Sequence, residues 1–280
     1  MRTAPYDASR VALYHPEQQP SILPLHTPPS EDLLCAEASR LTYKRFESDP
    51  RQRGEIITAL QTVGFAEIAF FDREGSQAFA AWSSGSRTAL VAFRGTQPDA
   101  PTDLADDLDA ILDPWEKGGK VHRGFARALA RVRTDVQAWI ARHPGRLLLT
   151  GHSLGAAMGT LLASLNASAR LVTIGSPRVG DQDFVNTVPA AAVSRYVDCC
   201  DLVTRLPPEL GSLFRHVGTQ IYIDRQGRVT TSATATDAFV QADRETAREE
   251  YLLQETWKLG TVEVRDLADH APINYVTALQ

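Results

Sequence analysis

Residues 147–157, Leu147-Leu148-Leu149-Thr150-Gly151-His152-Ser153-Leu154-Gly155-Ala156-Ala157, run from an apolar stretch through a glycine-flanked serine into a small-residue stretch. Leu147–Thr150 reads as a short strand buried on both faces. Leu154–Leu165 reads as a helix of small and apolar side chains. Between them stands Gly-x-Ser-x-Gly, for which 18 glycines in 280 residues give a chance expectation of about 0.07 matches. The flanking strand and helix make the match specific. A serine on so sharp a turn is held in a strained backbone conformation with its Oγ above the sheet. Gly151 and Gly155 let strand and helix approach closely, and Ala156-Ala157 keep the contact close. The helix start aims free amides, beginning with that of Leu154, at developing negative charge.

Outward from this turn the pattern repeats. Ala89–Phe93 and Leu171–Ile174 are further apolar runs of strand length, and Val193–Val197 is another strand candidate. Phe125, Leu129, Val132, Val136 and Trp139 fall at helical spacing and predict a helix over His122–Arg142, stopped by His143-Pro144-Gly145. Glu67–Asp72 and Gln77–Ser83 form a candidate hairpin around Arg73-Glu74-Gly75-Ser76. A helix is predicted from Glu31 to Phe46, ending before Asp49-Pro50. Downstream come two strands, Gln220–Asp224 and Arg228–Thr231, and a charged helix over Ala235–Leu259. Strand–helix–strand alternation predicts an α/β fold with a largely parallel central sheet. Residues 1–30, rich in proline and without periodicity, read as a loosely ordered N-terminal arm, with residues 31–280 as one domain.

The chain carries 29 Lys+Arg against 34 Asp+Glu, a formal charge of −5, with 43% hydrophobic and 22% charged residues. That composition is globular, not disordered. Its mild acidity argues against nucleic acid as a partner. No apolar run approaches the ~20 residues of a membrane-spanning helix, so no integral membrane segment is expected. Three cysteines, Cys35 and the adjacent Cys199 and Cys200, make no disulfide framework and no CxxC metal spacing. With no leader pattern in the first twenty residues, the default expectation is a cytoplasmic protein, leaderless export and a trimmed leader staying open. No phosphate-binding or dinucleotide fingerprint appears, and no cofactor or metal is implied.

A serine nucleophile needs a base, and the base an orienting acid. His15 and His26 lie in the arm, His143 ends a helix, and His152 precedes the serine and points away from its Oγ. His122, His216 and His270 remain. The acid follows the serine and precedes the histidine in chain order. Asp198 and Asp201 both stand just after Val193–Val197, and spacing does not separate them; Asp181 and Asp183 are surface-loop candidates.

The blocks Val91–Thr96 (VAFRGT), Val121–Phe125 (VHRGF), Gly151–Ala157 (GHSLGAA), Gly175–Gly180 (GSPRVG) and Asp201–Pro208 (DLVTRLPP) resemble, in order, those of the class 3 lipases, the fungal-lipase-like branch of the α/β hydrolases. The resemblance spans about residues 31–278. It implies the α/β-hydrolase fold, a central mostly parallel sheet flanked by helices, and a Ser153–Asp201–His270 triad. It further implies an oxyanion hole from Thr96 and Leu154, and a lid-like segment over Gln97–Asp113, with Leu104, Leu108, Ile111 and Leu112 along one helical face. Leu104 stands where these lipases usually carry tryptophan. The implied activity is carboxylic-ester hydrolysis through an acyl-enzyme, and the acidic segment with its short apolar stripe and Leu104 points to short- to medium-chain acyl esters or acylglycerols as substrates. Phospholipase or acyltransferase chemistry on the same triad, or a non-catalytic module retaining the fold, are the alternatives. The expected partner is a small-molecule or lipid ester, with transient contact to a lipid interface.

Overall fold

The computed structural model describes residues 5–23, 28–96, 111–209, 213–230 and 235–280. Eight strands form one sheet: β1 (Glu67–Arg73), β2 (Ser76–Ser83), β3 (Thr88–Phe93), β6 (Arg146–His152), β7 (Arg170–Ile174), β8 (Val193–Asp198), β9 (Thr219–Ile223) and β10 (Val229–Thr230), adjacent in that order. The five strands from β3 to β9 are parallel, and antiparallel pairs close both edges. The β1–β2 hairpin turns at Glu74 (φ 47°) and Gly75 (φ 81°). Two successive positive φ values match the twist of the flanking strands.

Helices cover both faces, which is why the central strands are apolar throughout. Ala89, Val91, Phe93, Leu147 and Leu149 pack with α4 (Arg123–Arg142) and α5 (Leu154–Leu165). The alternate residues, Leu90, Ala92 and Leu148, pack on the opposite face with α2 (Glu31–Leu41), α3 (Pro50–Thr62) and α9 (Pro272–Leu279). The period of two is hidden in the sequence because both faces are buried. All five residues of the predicted stripe, Phe125, Leu129, Val132, Val136 and Trp139, are buried on α4.

Three readings need correction. The helix from Glu31 stops at Leu41, and Asp49-Pro50, read as a stop, starts α3: the Asp49 carboxylate accepts from the Arg51 and Gln52 amides, with proline in the first turn. The N-terminal arm is not loose over residues 5–23. Its short helix α1 (Arg10–Tyr14) buries Ala12 and Leu13 against Tyr251, Val262, Ala268 and Ala271. Of the segment expected as a lid, 97–110 lies outside the described residues. Its remainder is no helix: Leu112 opens β4 (Leu112–Pro114), paired antiparallel with β5 (Lys120–His122). Pro114 and the Asp113–Arg123 ion pair suit a strand end better than a helical turn. Three further α-helices among the described residues are α6 (Gln182–Val185), α7 (Asp237–Gln254) and α8 (Arg265–Ala268). No helix among the described residues is long and apolar enough to cross a membrane.

Candidate active site

Ser153 sits between the end of β6 and the start of α5 with φ 58° and ψ −127°, a backbone region that costs an L residue on the order of 1–3 kcal/mol. The neighbouring glycines show what enforces it. A Cβ on Gly151 would overlap the Gly155 carbonyl group, and one on Gly155 would overlap the Phe93 carbonyl of β3. Helix and sheet therefore touch backbone to backbone, and the turn has no room to relax. Ser153 is 5% exposed, and its amide donates to the Ile174 carbonyl at 3.3 Å.

Loops beyond β8 and α8 supply the partners. His270 Nδ1 lies 2.9 Å from Asp201 Oδ2, both residues buried. A carboxylate only accepts, so Nδ1 carries the proton in this contact. Nε2 is buried with no hydrogen-bond partner among the described residues. Asp201 Oδ2 also accepts from the Tyr275 hydroxyl at 2.5 Å, and Oδ1 from the Val203 amide at 2.9 Å. Asp198, the other acid candidate, ends β8, where its amide donates to the Tyr275 hydroxyl at 3.0 Å.

Two contacts bring this pair to the serine turn. The rings of His152 and His270 pack with centroids 4.3 Å apart. A Cβ on Gly175 would lie 3.0 Å from His152 Nε2 and 3.1 Å from Asp201 Oδ2, so that glycine separates the serine turn from the acid loop by a single backbone thickness. Burial, with the neighbouring His270 adding to it, holds the His152 imidazole well below the usual histidine range. His152 therefore stays neutral, its Nδ1 2.7 Å from the Tyr43 hydroxyl. The remaining described histidines are engaged elsewhere. His143 bridges the Trp139 carbonyl and Glu67, His216 meets the Thr204 carbonyl, His15 lies beside Glu17, and His122 stacks on Phe125. His26 lies outside the described residues.

Thr96 and Leu154 line one cavity of about 330 Å³ together with Gly95 and Met158. Leu154 opens α5, and the first amides of a helix have no partner within it. Arg94 anchors this corner: its guanidinium pairs with Glu47 and donates to the Thr42 and Lys44 carbonyls.

The sequence reading missed a second layer. Asp269 Oδ2 accepts from the Cys200 amide at 2.9 Å and from Arg265 Nε at 3.1 Å. Its Oδ1 accepts from the Tyr6 hydroxyl at 2.7 Å. Cys200-Asp201 and Asp269-His270 are thus joined twice, by Cys200 with Asp269 and by Asp201 with His270. The Asp269 side of that link was signalled only by its place beside His270; Tyr6 carried no signal. Cys199, Cys200 and Asp269 place metal-ligating atoms within 4.8 Å of one another. Asp269 is already committed to three donors, however. The contact with Cys200 and burial push the Cys199 thiol up, away from the thiolate a metal requires.

Residues 90–211 match the sequence model of the family described as Lipase (class 3). The match supports the resemblance to class 3 lipases carried by the five sequence blocks. A secreted mono- and diacylglycerol lipase, LIP4 of Malassezia restricta, is 33% identical over 187 residues, covering 58% of this chain and 61% of that one. Secreted mono- and diacylglycerol lipase 1 of Fusarium solani is 34% identical over 118 residues, covering 38% of this chain and 35% of that one. The chain thus spans less than two thirds of these relatives. Among solved structures, a Rhizomucor miehei lipase propeptide complex superposes with a TM-score of 0.59 at 22% identity, covering 89% of this chain and 78% of the other. That likeness is one of fold, and it fits the α/β-hydrolase architecture. The cytoplasmic expectation is corrected by the same comparisons, since both lipase relatives are secreted by name and point to an extracellular location. The three cysteines never decided the matter: all are buried free thiols, a state that either compartment permits.

Proposed function

We propose that the protein is a carboxylic-ester hydrolase acting on acylglycerols and other short- to medium-chain acyl esters, with Ser153, His270 and Asp201 as its triad. The observation that carries the reading is the buried His270–Asp201 pair, 2.9 Å apart, with Nε2 left unpartnered beside the strained turn of Ser153. Ser153 Oγ attacks the ester carbonyl as His270 Nε2 takes its proton. The tetrahedral oxyanion is received by the Leu154 amide and by Thr96. Collapse expels the alcohol, which takes the proton back from Nε2 and leaves Ser153 acylated. Water, deprotonated by the same nitrogen, attacks the acyl carbonyl, and collapse returns that proton to Ser153 Oγ as the carboxylic acid leaves. Asp201 fixes the imidazole tautomer and balances the imidazolium formed in both halves. Residues 31–280 serve as one catalytic domain, with residues 5–23 packed on it.

A fluorophosphonate probe tests the reading. Wild-type protein is expected to label on Ser153, and Ser153→Ala to lose both labelling and p-nitrophenyl butyrate turnover, by ~10⁴ or more in kcat. A Ser153→Ala variant keeping a tenth of wild-type turnover overturns the assignment.

A further inference from the structure

The inner face of α7 is conventional: Val240, Asp243, Ala247 and Tyr251 are buried. Its C-terminal end and the turn beyond it are not. Within eight residues, Leu252, Leu253, Trp257 and Leu259 are 59%, 72%, 70% and 104% exposed. Single exposed leucines are ordinary, but large apolar side chains gathered in so short a stretch mark a contact surface. We propose that Leu252–Leu259 is a docking surface for an uncharged or zwitterionic lipid interface, placed outside the segment where a lid is expected. The proposal rests on the ester-hydrolase reading, in which the substrate is presented at such an interface.

Three observations select this occupant. First, the indole N–H of Trp257 donates to the Leu253 carbonyl at 2.9 Å. The ring therefore enters hydrocarbon with its one polar atom already satisfied, and it covers a carbonyl that the end of α7 leaves without a helical partner. Second, the cation within the surface, Lys258, is neutralised by Glu255 at 2.7 Å. With a chain charge of −5, nothing here recruits anionic headgroups, whose binding needs unpaired Lys and Arg. Third, the patch is one stretch of eight residues, against the roughly 20–30 residues a side of a stable protein–protein interface. A lipid surface imposes no such minimum, because each buried apolar group contributes independently.

The surface is also rigidly tied to the catalytic wall. The Tyr251 hydroxyl donates to the Val262 carbonyl at 2.7 Å, and the Thr261 hydroxyl to the Glu255 carbonyl at 2.9 Å. From Val262 the chain runs directly through α8 to His270.

The test is flotation with phosphatidylcholine vesicles, using full-length protein carrying Ser153→Ala so that no ester is consumed. Adding Leu253→Ser, Trp257→Ser and Leu259→Ser is expected to cut vesicle binding at least tenfold. The same three changes with Ser153 intact are expected to hydrolyse dissolved p-nitrophenyl butyrate within twofold of wild type, which also reports folding. Trp257→Ser alone, expected to lose about threefold in binding, carries the test if the triple variant does not fold. The proposal is overturned if the protein with an intact patch ignores these vesicles or the triple variant floats equally well. Binding that appears only with phosphatidylserine, or sedimentation velocity showing a dimer abolished by the triple change, overturns it too. Vesicle binding without butyrate hydrolysis by wild-type protein would sink the hydrolase reading and leave the docking surface standing.

Discussion

The two halves of the site reach one corner of the molecule by different means. Ser153 is positioned locally and sterically, by glycines two residues to either side and by backbone packed on backbone. Asp201 and His270 lie 69 residues apart and are positioned by polar bonds: Tyr275 and Val203 on Asp201, and Cys200, Arg265 and Tyr6 on Asp269. The serine half should therefore be intolerant of added volume. The acid–base half should be intolerant of lost hydrogen bonds, each with a graded effect.

The harshest way to break the polar half is Asp201→Asn, which keeps the shape and mis-sets the imidazole tautomer. A loss of ~10⁴ in kcat is expected, while Asp198→Asn stays within a few-fold, because the carboxylate bonded to His270 Nδ1 is that of Asp201. Steady-state kinetics on a dissolved ester decide this, and the reverse ranking would move the acid.

The steric half is challenged by Gly155→Ala, whose methyl group would meet the Phe93 carbonyl. Urea unfolding is expected to show about 3 kcal/mol of lost stability. Gly159→Ala on the same helix is the control. Its Cβ would lie 3.4 Å from a Leu171 methyl, and helix propensity gains ~1 kcal/mol, so its midpoint should hold or rise.

Two milder changes sharpen the polar half. Tyr275→Phe deletes the 2.5 Å bond to Asp201 and is expected to lower kcat ~10-fold with KM unchanged, a hydrogen bond to a charged group being worth ~1.5–3 kcal/mol. Tyr6→Phe removes one of three donors from Asp269, one bond further from the chemistry. A two- to fourfold drop in kcat is expected, on the order of 0.5–1 kcal/mol. If Tyr6→Phe cost as much as Tyr275→Phe, the graded picture would fail.

The same contrast explains what the sequence disclosed. The serine turn is legible because everything that shapes it lies within a few residues of Ser153 or in the apolar strand β3. The parallel sheet is legible because buried strands announce themselves as apolar runs. The acid is not: Asp198 and Asp201 share one strand end, and only the family resemblance singles out Asp201. Tyr275 and Tyr6 are invisible, being tyrosines whose partners lie 74 and 263 residues away. α3 was lost for a different reason. Asp-Pro signals both the end of one helix and the capped start of another, and the sequence alone supports either.

The stitching of the N-terminal segment to the last helix has a consequence for synthesis. The Asp7 amide and carbonyl exchange hydrogen bonds with the Asn274 side chain, and the Thr277 hydroxyl donates to the Pro5 carbonyl. Residues translated early thus find their partners only when residues 274–277 have emerged. His270 follows Ser153 by more than a hundred residues, several seconds at the ~5–20 residues per second of elongation. Through that interval the nascent chain carries the proposed nucleophile without its proposed base. The proposed triad can therefore assemble only after residue 270 has emerged, long after the serine turn that it serves.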